Sequence, residues 1–253
     1  MIKINSDIRI LHYQEIDSTN NEAKRLHDNQ KDLPFWIIAD KQTSGKGRKN
    51  RFWDSPVGNF MGTFVLSING EKRILPQLSF VTALAIYNSI LEYKPKENNS
   101  KVMLKWPNDI IINNRKCGGI LIENLFSQNN LSHTIAIGIG INLKISPAQS
   151  TFPSSSIMKE FDIDIERDDF LNVVNINMMD LINIWSNGEN FKEILNSWRL
   201  KAYLINKEIS VSLPNGDKAS GIFSSIDEEG GLILTNNDGE KDIFYAAEIF
   251  EGL

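Results

Sequence analysis

The segment Lys41-Gln42-Thr43-Ser44-Gly45-Lys46-Gly47-Arg48-Lys49-Asn50-Arg51-Phe52-Trp53-Asp54-Ser55 gathers five cations (Lys41, Lys46, Arg48, Lys49, Arg51) with no acidic residue between Lys41 and Arg51. The whole chain carries 27 basic and 32 acidic residues, a net charge of −5, so this is a local positive island. Gly45 and Gly47 leave room for a ligand beside the backbone, and their N–H groups can form an anion-binding concavity. The spacing is not that of a Walker phosphate loop, and no helix follows at once. Two readings stand for the island: an anion site, or a solvated basic loop. Trp53 at its edge reads either as core or as a platform for a purine.

A second concentration is Lys105-Trp106-Pro107-Asn108-Asp109. Lys105 ends an apolar run, and the turn enforced by Pro107 projects it from a sheet end into a crevice. The alternative is a surface lysine whose stem snorkels over apolar neighbours. Ser18-Thr19-Asn20 reads first as a helix start, because Thr19 and Glu22 have the spacing of a capping box. Gly118-Gly119 marks a bulge or a ligand's approach to a strand. His12, His27 and His133 are dispersed and make no metal-ligand spacing. Cys117, the one cysteine, reads as a small buried residue.

These residues need elements to hold them. Alternation at Ile8, Ile10 and His12 predicts a strand, followed by a helix to about Leu26. FWIIAD (35–40) and NFMGTFVLSI (59–68) read as strands on either side of the basic loop. Pro76 opens a helix to about Tyr93, with Leu78, Val81, Leu84, Ala85 and Ile90 at helical spacing. Apolar runs at 102–106, 109–113 and 117–125 are separated by Pro107-Asn108 and Asn113-Asn114, the punctuation of hairpins. HTIAIGIGINL (133–143) is a further strand whose glycines predict close backbone approach, and a candidate edge for pairing with a second copy. Helices are expected at 167–185 and 190–202. The runs EISVSL, KASGIFSSI, GLILT and KDIFY then form a tail of short strands, too small to stand alone and expected to pack on the main domain. Three consecutive hairpin strands disagree with strict βαβ alternation, so the expected class is α+β.

Composition narrows the function classes. At 41% hydrophobic the chain can build a sizeable core. One cysteine excludes a cystine scaffold and fits a reducing compartment. Neither a signal peptide nor a run of about 18 apolar residues is present, so no membrane role is expected. The negative net charge disfavours a protein that coats nucleic acid. A soluble, cytoplasmic protein is the expectation.

Five segments in order then resemble a known family. They are Ser18-Thr19-Asn20; Gln42 with Ser44 to Trp53; Lys105 to Asp109; Arg115-Lys116-Cys117-Gly118-Gly119-Ile120-Leu121-Ile122-Glu123; and Gly138-Ile139-Gly140-Ile141-Asn142. Their order and spacing are similar to those of the biotin–protein ligases, across about residues 8–145. The resemblance implies a class II synthetase-like catalytic core, a mixed sheet flanked by helices, over 1–204, and an SH3-like β domain over 205–253. It implies ATP, Mg2+ and biotin, formation of biotinyl-5′-AMP, and transfer to a lysine of a biotin carboxyl carrier protein. By the same resemblance Lys105 and Arg48 are catalytic. Ser18, Thr19, Asn20, Gln42, Lys46, Gly47 and Gly119, with Arg48 and Lys105, contact biotin. Arg48, Arg51, Trp53, Lys105, Asn108 and Asn142 contact ATP, and no metal ligand is assigned.

The sequence departs from the family pattern at Lys46, where arginine is usual, and at Asn50, where glycine is usual. The short stretch before the first strand leads to the expectation of a ligase without operator binding, monomeric or homodimeric. A lipoate or octanoyl ligase of the same superfamily and a non-enzymatic nucleic-acid module are the rival readings.

Overall fold

In the computed structural model, residues 8–26, 33–147, 152–213, 216–236, 238–245 and 248–251 are described. The central sheet is built from β1 (Arg9–Ile16), β2 (Phe35–Gln42), β3 (Phe60–Asn69), β4 (Val102–Lys105), β5 (Asp109–Ile112), β6 (Arg115–Gln128) and β7 (Ser132–Ile141). Its spatial order is β1-β2-β3-β7-β6-β5-β4. β1 and β2 are parallel, joined through helix α1 (Thr19–Leu26), and every other neighbouring pair is antiparallel. The α+β expectation holds.

Period-two alternation assigns the two faces. Trp36, Ile38, Phe60, Phe64, Leu66 and Ile68 point into one large core, with Ile135, Ile137, Ile139 and Ile141 of β7. That core is completed by α2 (Gln77–Tyr93), α4 (Arg167–Trp185) and α5 (Phe191–Arg199), where Phe80 packs edge-on against Phe191 and Trp198 at 5.6 and 5.2 Å. Phe35, Ile37, Val65 and Ala136 point the other way, onto Ala23 of α1. The second face is therefore only partly covered by apolar packing, and the rest of it carries the polar residues of the site.

Strand β7 corrects one expectation. It is not an edge: it pairs with β3 from Phe60↔Ile141 to Asn69↔Ser132 and with β6 along its other side. Its isoleucine-rich alternation is what a strand covered on one face by helices requires. The helix expected at 190–202 stops at Arg199, after which the chain turns, and a five-residue helix, α3 (Ile157–Phe161), was not expected. α2 with the turn preceding it is long and apolar enough to cross a membrane, yet most of it is buried as the core helix of this fold.

The tail forms a five-stranded antiparallel SH3-like sheet of β8 (Glu208–Ser212), β9 (Lys218–Ile226), β10 (Leu232–Thr235), β11 (Lys241–Phe244) and β12 (Glu248–Glu251), in the order β11-β10-β9-β8-β12. It docks on the main body through Trp106, whose indole N–H donates to Gly230 O at 3.0 Å, and through Arg199, which donates to Ile226 O. Ile209, Val211, Phe223 and Leu232 join the main core.

Candidate active site

A cavity of about 540 Å³ opens on the polar face of the large sheet. Ser18, Thr19, Asn20, Gln42, Lys46, Gly47, Arg48, Arg51, Trp53, Lys105, Asn108, Gly119 and Asn142 all line it. Every residue that the resemblance assigned to biotin or ATP is thus brought to one place, while Lys41, Gly45, Lys49 and Cys117 do not line the cavity.

The floor begins where β1 hands over to α1. Thr19 is the first residue of the helix, but its hydroxyl turns away from Glu22 and donates to Gln42 Oε1 at 3.1 Å, while its backbone N–H donates to the same oxygen at 2.9 Å. Glu22 accepts instead from Tyr13 and Arg25. The capping-box expectation fails for this reason, and Ser18-Thr19-Asn20 belongs to the cavity. Gln42 Nε2 donates to Ser55 Oγ at 3.0 Å, which ties the floor to the segment that covers it.

The glycines of β7 explain how side chains can lie flat on the sheet. A Cβ at Gly138 would stand 2.4 Å from Asn20 Oδ1, and one at Gly140 would stand 2.5 Å from the Trp53 indole. Isoleucine toward the helices and glycine toward the cavity give β7 one packed face and one smooth face. Trp53 is neither core nor free in solvent: it rests half-buried on Gly140 beside Gly119, with Lys116 Nζ 5.6 Å from its ring centroid.

The basic island is a small flap. Lys46 and Phe52 form a bridge, Trp53 N donates to Gly45 O at 2.9 Å, and Gly47 N donates to Arg51 O at 2.7 Å. The Gly47 N–H is therefore spent within the flap, which corrects its assignment to an anion-binding concavity. The left-handed residue of the turn is Lys49, with φ 57°; the side chain of Asn50 lies outside the described residues. Lys46 donates to Asn21 Oδ1 at 2.8 Å, a single contact that an ammonium makes as well as a guanidinium.

The strand-end turn faces the flap. Lys105 pairs with Asp109 across the β4–β5 hairpin, is 8% exposed, and holds its ammonium 4.1 Å from the Phe152 ring centroid. The snorkelling alternative is excluded by that burial. Asn108 accepts from Arg48 Nη1 at 3.3 Å and donates to Ile120 O at 2.7 Å. Next to it, Asp109 accepts from Lys116 Nζ at 2.6 Å. Three cations, from the flap, β4 and β6, thus surround one turn. Such an arrangement can stabilise negative charge growing on a phosphate or an acyl oxygen. Asn142, buried, donates to Ser155 O at 3.0 Å, so one end of its amide is held by the protein. Burial pushes the Cys117 thiol well above its ordinary range, and the group is inert packing.

The comparisons with known proteins agree with this geometry. The model of the biotin/lipoate A/B protein ligase family matches residues 13–142. The chain belongs to that family. A model of the biotin protein ligase C-terminal domain matches residues 204–251 of this ligase. It is 33% identical to the biotin--[acetyl-CoA-carboxylase] ligase of Paracoccus denitrificans over 93% of the chain and 98% of that protein. With the bifunctional ligase/repressor BirA of Bacillus subtilis it shares 30% identity over 95% of the chain and 73% of that protein. In structure the ligase is similar to the biotin protein ligase of Aquifex aeolicus in complex with biotin and ATP, with TM-score 0.78, 23% identity and coverage of 96% and 97%.

Lys116, Phe152 and Ile249 of the ligase also line the cavity and were not singled out from the sequence. Lys116 had a signal, since it stands beside Cys117-Gly118-Gly119, but a lysine in a strand carries no mark of which way it faces. Phe152 and Ile249 had none, because they reach the site from distant segments.

Proposed function

We propose that this chain is an ATP-dependent biotin–protein ligase, which makes biotinyl-5′-AMP and transfers the biotinyl group to a lysine of a biotin carboxyl carrier protein. The supporting observation is that Arg48, Lys105 and Lys116 share one cavity with the polar floor of Thr19, Asn20 and Gln42. In the first step a biotin carboxylate oxygen attacks the α-phosphorus of ATP. A P–O bond forms, the P–O bond to pyrophosphate breaks, and charge spreads over the phosphoryl oxygens. Lys105 aligns the two anions and offsets their repulsion, and Lys116 stabilises the α-phosphate from the β6 side. Arg48 holds the adenylate through its planar fork. In the second step the neutral amine of the carrier lysine attacks the acyl carbon. A C–N bond forms, the C–O bond to AMP breaks, and the departing phosphate takes the amine's proton.

Ser18, Thr19, Asn20 and Gln42 take the ureido ring, with Lys46, Gly47 and Gly119 along the chain of the acid. Trp53 stacks on the purine, and Arg51, Asn108 and Asn142 complete the nucleotide side. Residues 1–204 act as the catalytic domain and 205–253 as a C-terminal SH3-like domain that contributes Ile249 to the cavity wall. We assign the activity to the cytoplasm.

Mg2+ was tested against the donor set. Among the described residues no three His, Cys, Asp or Glu side chains gather to hold a metal alone. Two carboxylates, Asp54 and Asp109, do line the cavity. Mg2+ needs only one or two carboxylates with substrate phosphates, so the set fits: Asp54, and Asp109 once Lys116 turns from it to the phosphate, would hold the ion. Bound there, it supplies charge neutralisation for the pyrophosphate leaving group. Incubation with biotin, ATP, Mg2+ and a carrier domain tests the reading: pyrophosphate release and a biotinylated carrier support it, and their absence contradicts it.

A further inference from the structure

The floor of the cavity has an outer layer that does not line it. Thr63 of β3, fully buried, places its hydroxyl 2.6 Å from Asn20 Oδ1 and 2.8 Å from Thr19 Oγ1. Glu123 of β6 accepts from Asn20 Nδ2 at 2.7 Å and from Lys24 Nζ at 2.6 Å. Neither Thr63 nor Glu123 reaches the cavity wall.

An ionised carboxylate only accepts. Burial alone would push the Glu123 carboxyl up, but Lys24 and Asn20 outweigh it and hold it below the usual carboxylate range. Asn20 must therefore turn its NH2 toward Glu123 and its oxygen toward Thr63. Gln42 is fixed likewise, its oxygen taking both donors of Thr19 and its NH2 facing Ser55. Four acceptor atoms then meet: Asn20 Oδ1, Thr63 Oγ1, Thr19 Oγ1 and Gln42 Oε1. Three protons serve them, two from the hydroxyls of Thr63 and Thr19 and one from the Thr19 backbone. Thr63 gives its one proton to Asn20 Oδ1, so Asn20 Oδ1 and Thr19 Oγ1 each keep an unused lone pair, and the floor presents acceptors there that a ligand N–H can take up.

We propose that Glu123 and Thr63 set the hydrogen-bond polarity of the cavity floor and thereby select an acid whose ring bears N–H groups over one whose ring bears none. The inference rests on the ligase reading above and adds the determinant of acid choice. Biotin's ureido ring supplies two N–H donors. The dithiolane of lipoate supplies none and leaves these lone pairs desolvated without a donor, which is how a polar site disfavours an apolar analogue. Without Glu123 the Asn20 amide can turn over, bring its N–H groups inward and present a donor where the floor now presents an acceptor. Both residues are positioning residues.

The test is steady-state pyrophosphate release with biotin or lipoate as the acid, on the full chain and on Thr63→Val, Thr63→Ser and Glu123→Met. Thr63→Val keeps the shape and loses the hydroxyl. It is expected to raise KM for biotin about ten-fold or more, the size of a lost buried hydrogen bond, with KM for ATP and kcat changed less than about two-fold. Thr63→Ser restores the parent KM within about three-fold. Glu123→Met, at a half-exposed position, narrows the biotin-to-lipoate ratio of kcat/KM about ten-fold or more. Biotin KM and acid preference unchanged in Thr63→Val and Glu123→Met would overturn the proposal, as would Thr63→Ser behaving like Thr63→Val. Should Thr63→Val melt early, Glu123→Met decides alone on the acid ratio. Absence of biotin turnover in the parent chain would instead strike the ligase reading.

Discussion

Arg48 of the flap donates through Nη1 to Asn108 Oδ1 at 3.3 Å, so the glycine-rich segment is latched onto the turn that follows Lys105. The basic island and the Lys105–Asp109 turn are thus parts of one closed device. The latch is long enough to be weak, which suits a cover that must open for each substrate.

Arg48→Gly removes the latch and one cation together. The expected outcome is escape of biotinyl-AMP, read as biotin on bystander lysines of added albumin by mass spectrometry. Labelling confined to the carrier domain would show that Arg48 does not retain the intermediate.

Lys105 and Lys116 line the cavity from β4 and β6, and the proposed reading has both act on the same phosphoryl group. Lys105→Ala and Lys116→Ala are each expected to slow biotinyl-AMP formation by about 100-fold or more, the scale found when one fixed donor to a developing anion is removed. Both ammonium groups line the cavity and lie outside the hydrophobic core, so the melting temperature should stay within a few degrees of the parent. Single-turnover adenylation with labelled ATP separates this effect from transfer.

The smooth face of β7 gives a paired prediction. Gly138→Ala pushes into Asn20 and should raise KM for biotin, while Gly140→Ala pushes into Trp53 and should raise KM for ATP. About ten-fold on the matching substrate, and much less on the other, is expected from loss of one well-formed contact set. The two KM values, measured side by side, check which end of the cavity takes which substrate.

The β1–β2 side of the sheet sets an acid limit. Burial would push the Asp40 carboxyl up, but His12 and Arg167 outweigh it, and the group lies below the ordinary carboxylate range. A depressed folded-state value stabilises the fold above the unfolded value of about pH 4, and that contribution is lost as pH falls through the folded value. Asp40→Asn should lower stability at neutral pH and flatten its decline on acidification, read by thermal melts from pH 7 to pH 3.

Much of this was legible in the residues, and the failures are instructive. The buried strand expected at β2 and the close backbone approach expected at the glycines of β7 are both present in the structure. The capping box at Thr19 and Glu22 failed because a distant amide, Gln42, offered Thr19 a better partner than its own helix did. The edge assignment of β7 failed because a strand's neighbours are fixed by chain topology, which local pattern does not encode. Thr63 and Glu123 were invisible for the same reason: their partners lie 43 and 103 residues away. Trp106 stood in plain view in its motif, yet its bond to Gly230, across 124 residues, could be seen only in the fold.

The most direct measurement of the central claim is the intact mass of a carboxylase carrier domain after incubation with this chain, biotin, ATP and Mg2+. The account predicts a gain of one biotinyl group per carrier, dependent on ATP and on the acceptor lysine. A carrier of unchanged mass, with neither AMP nor pyrophosphate released, would contradict it.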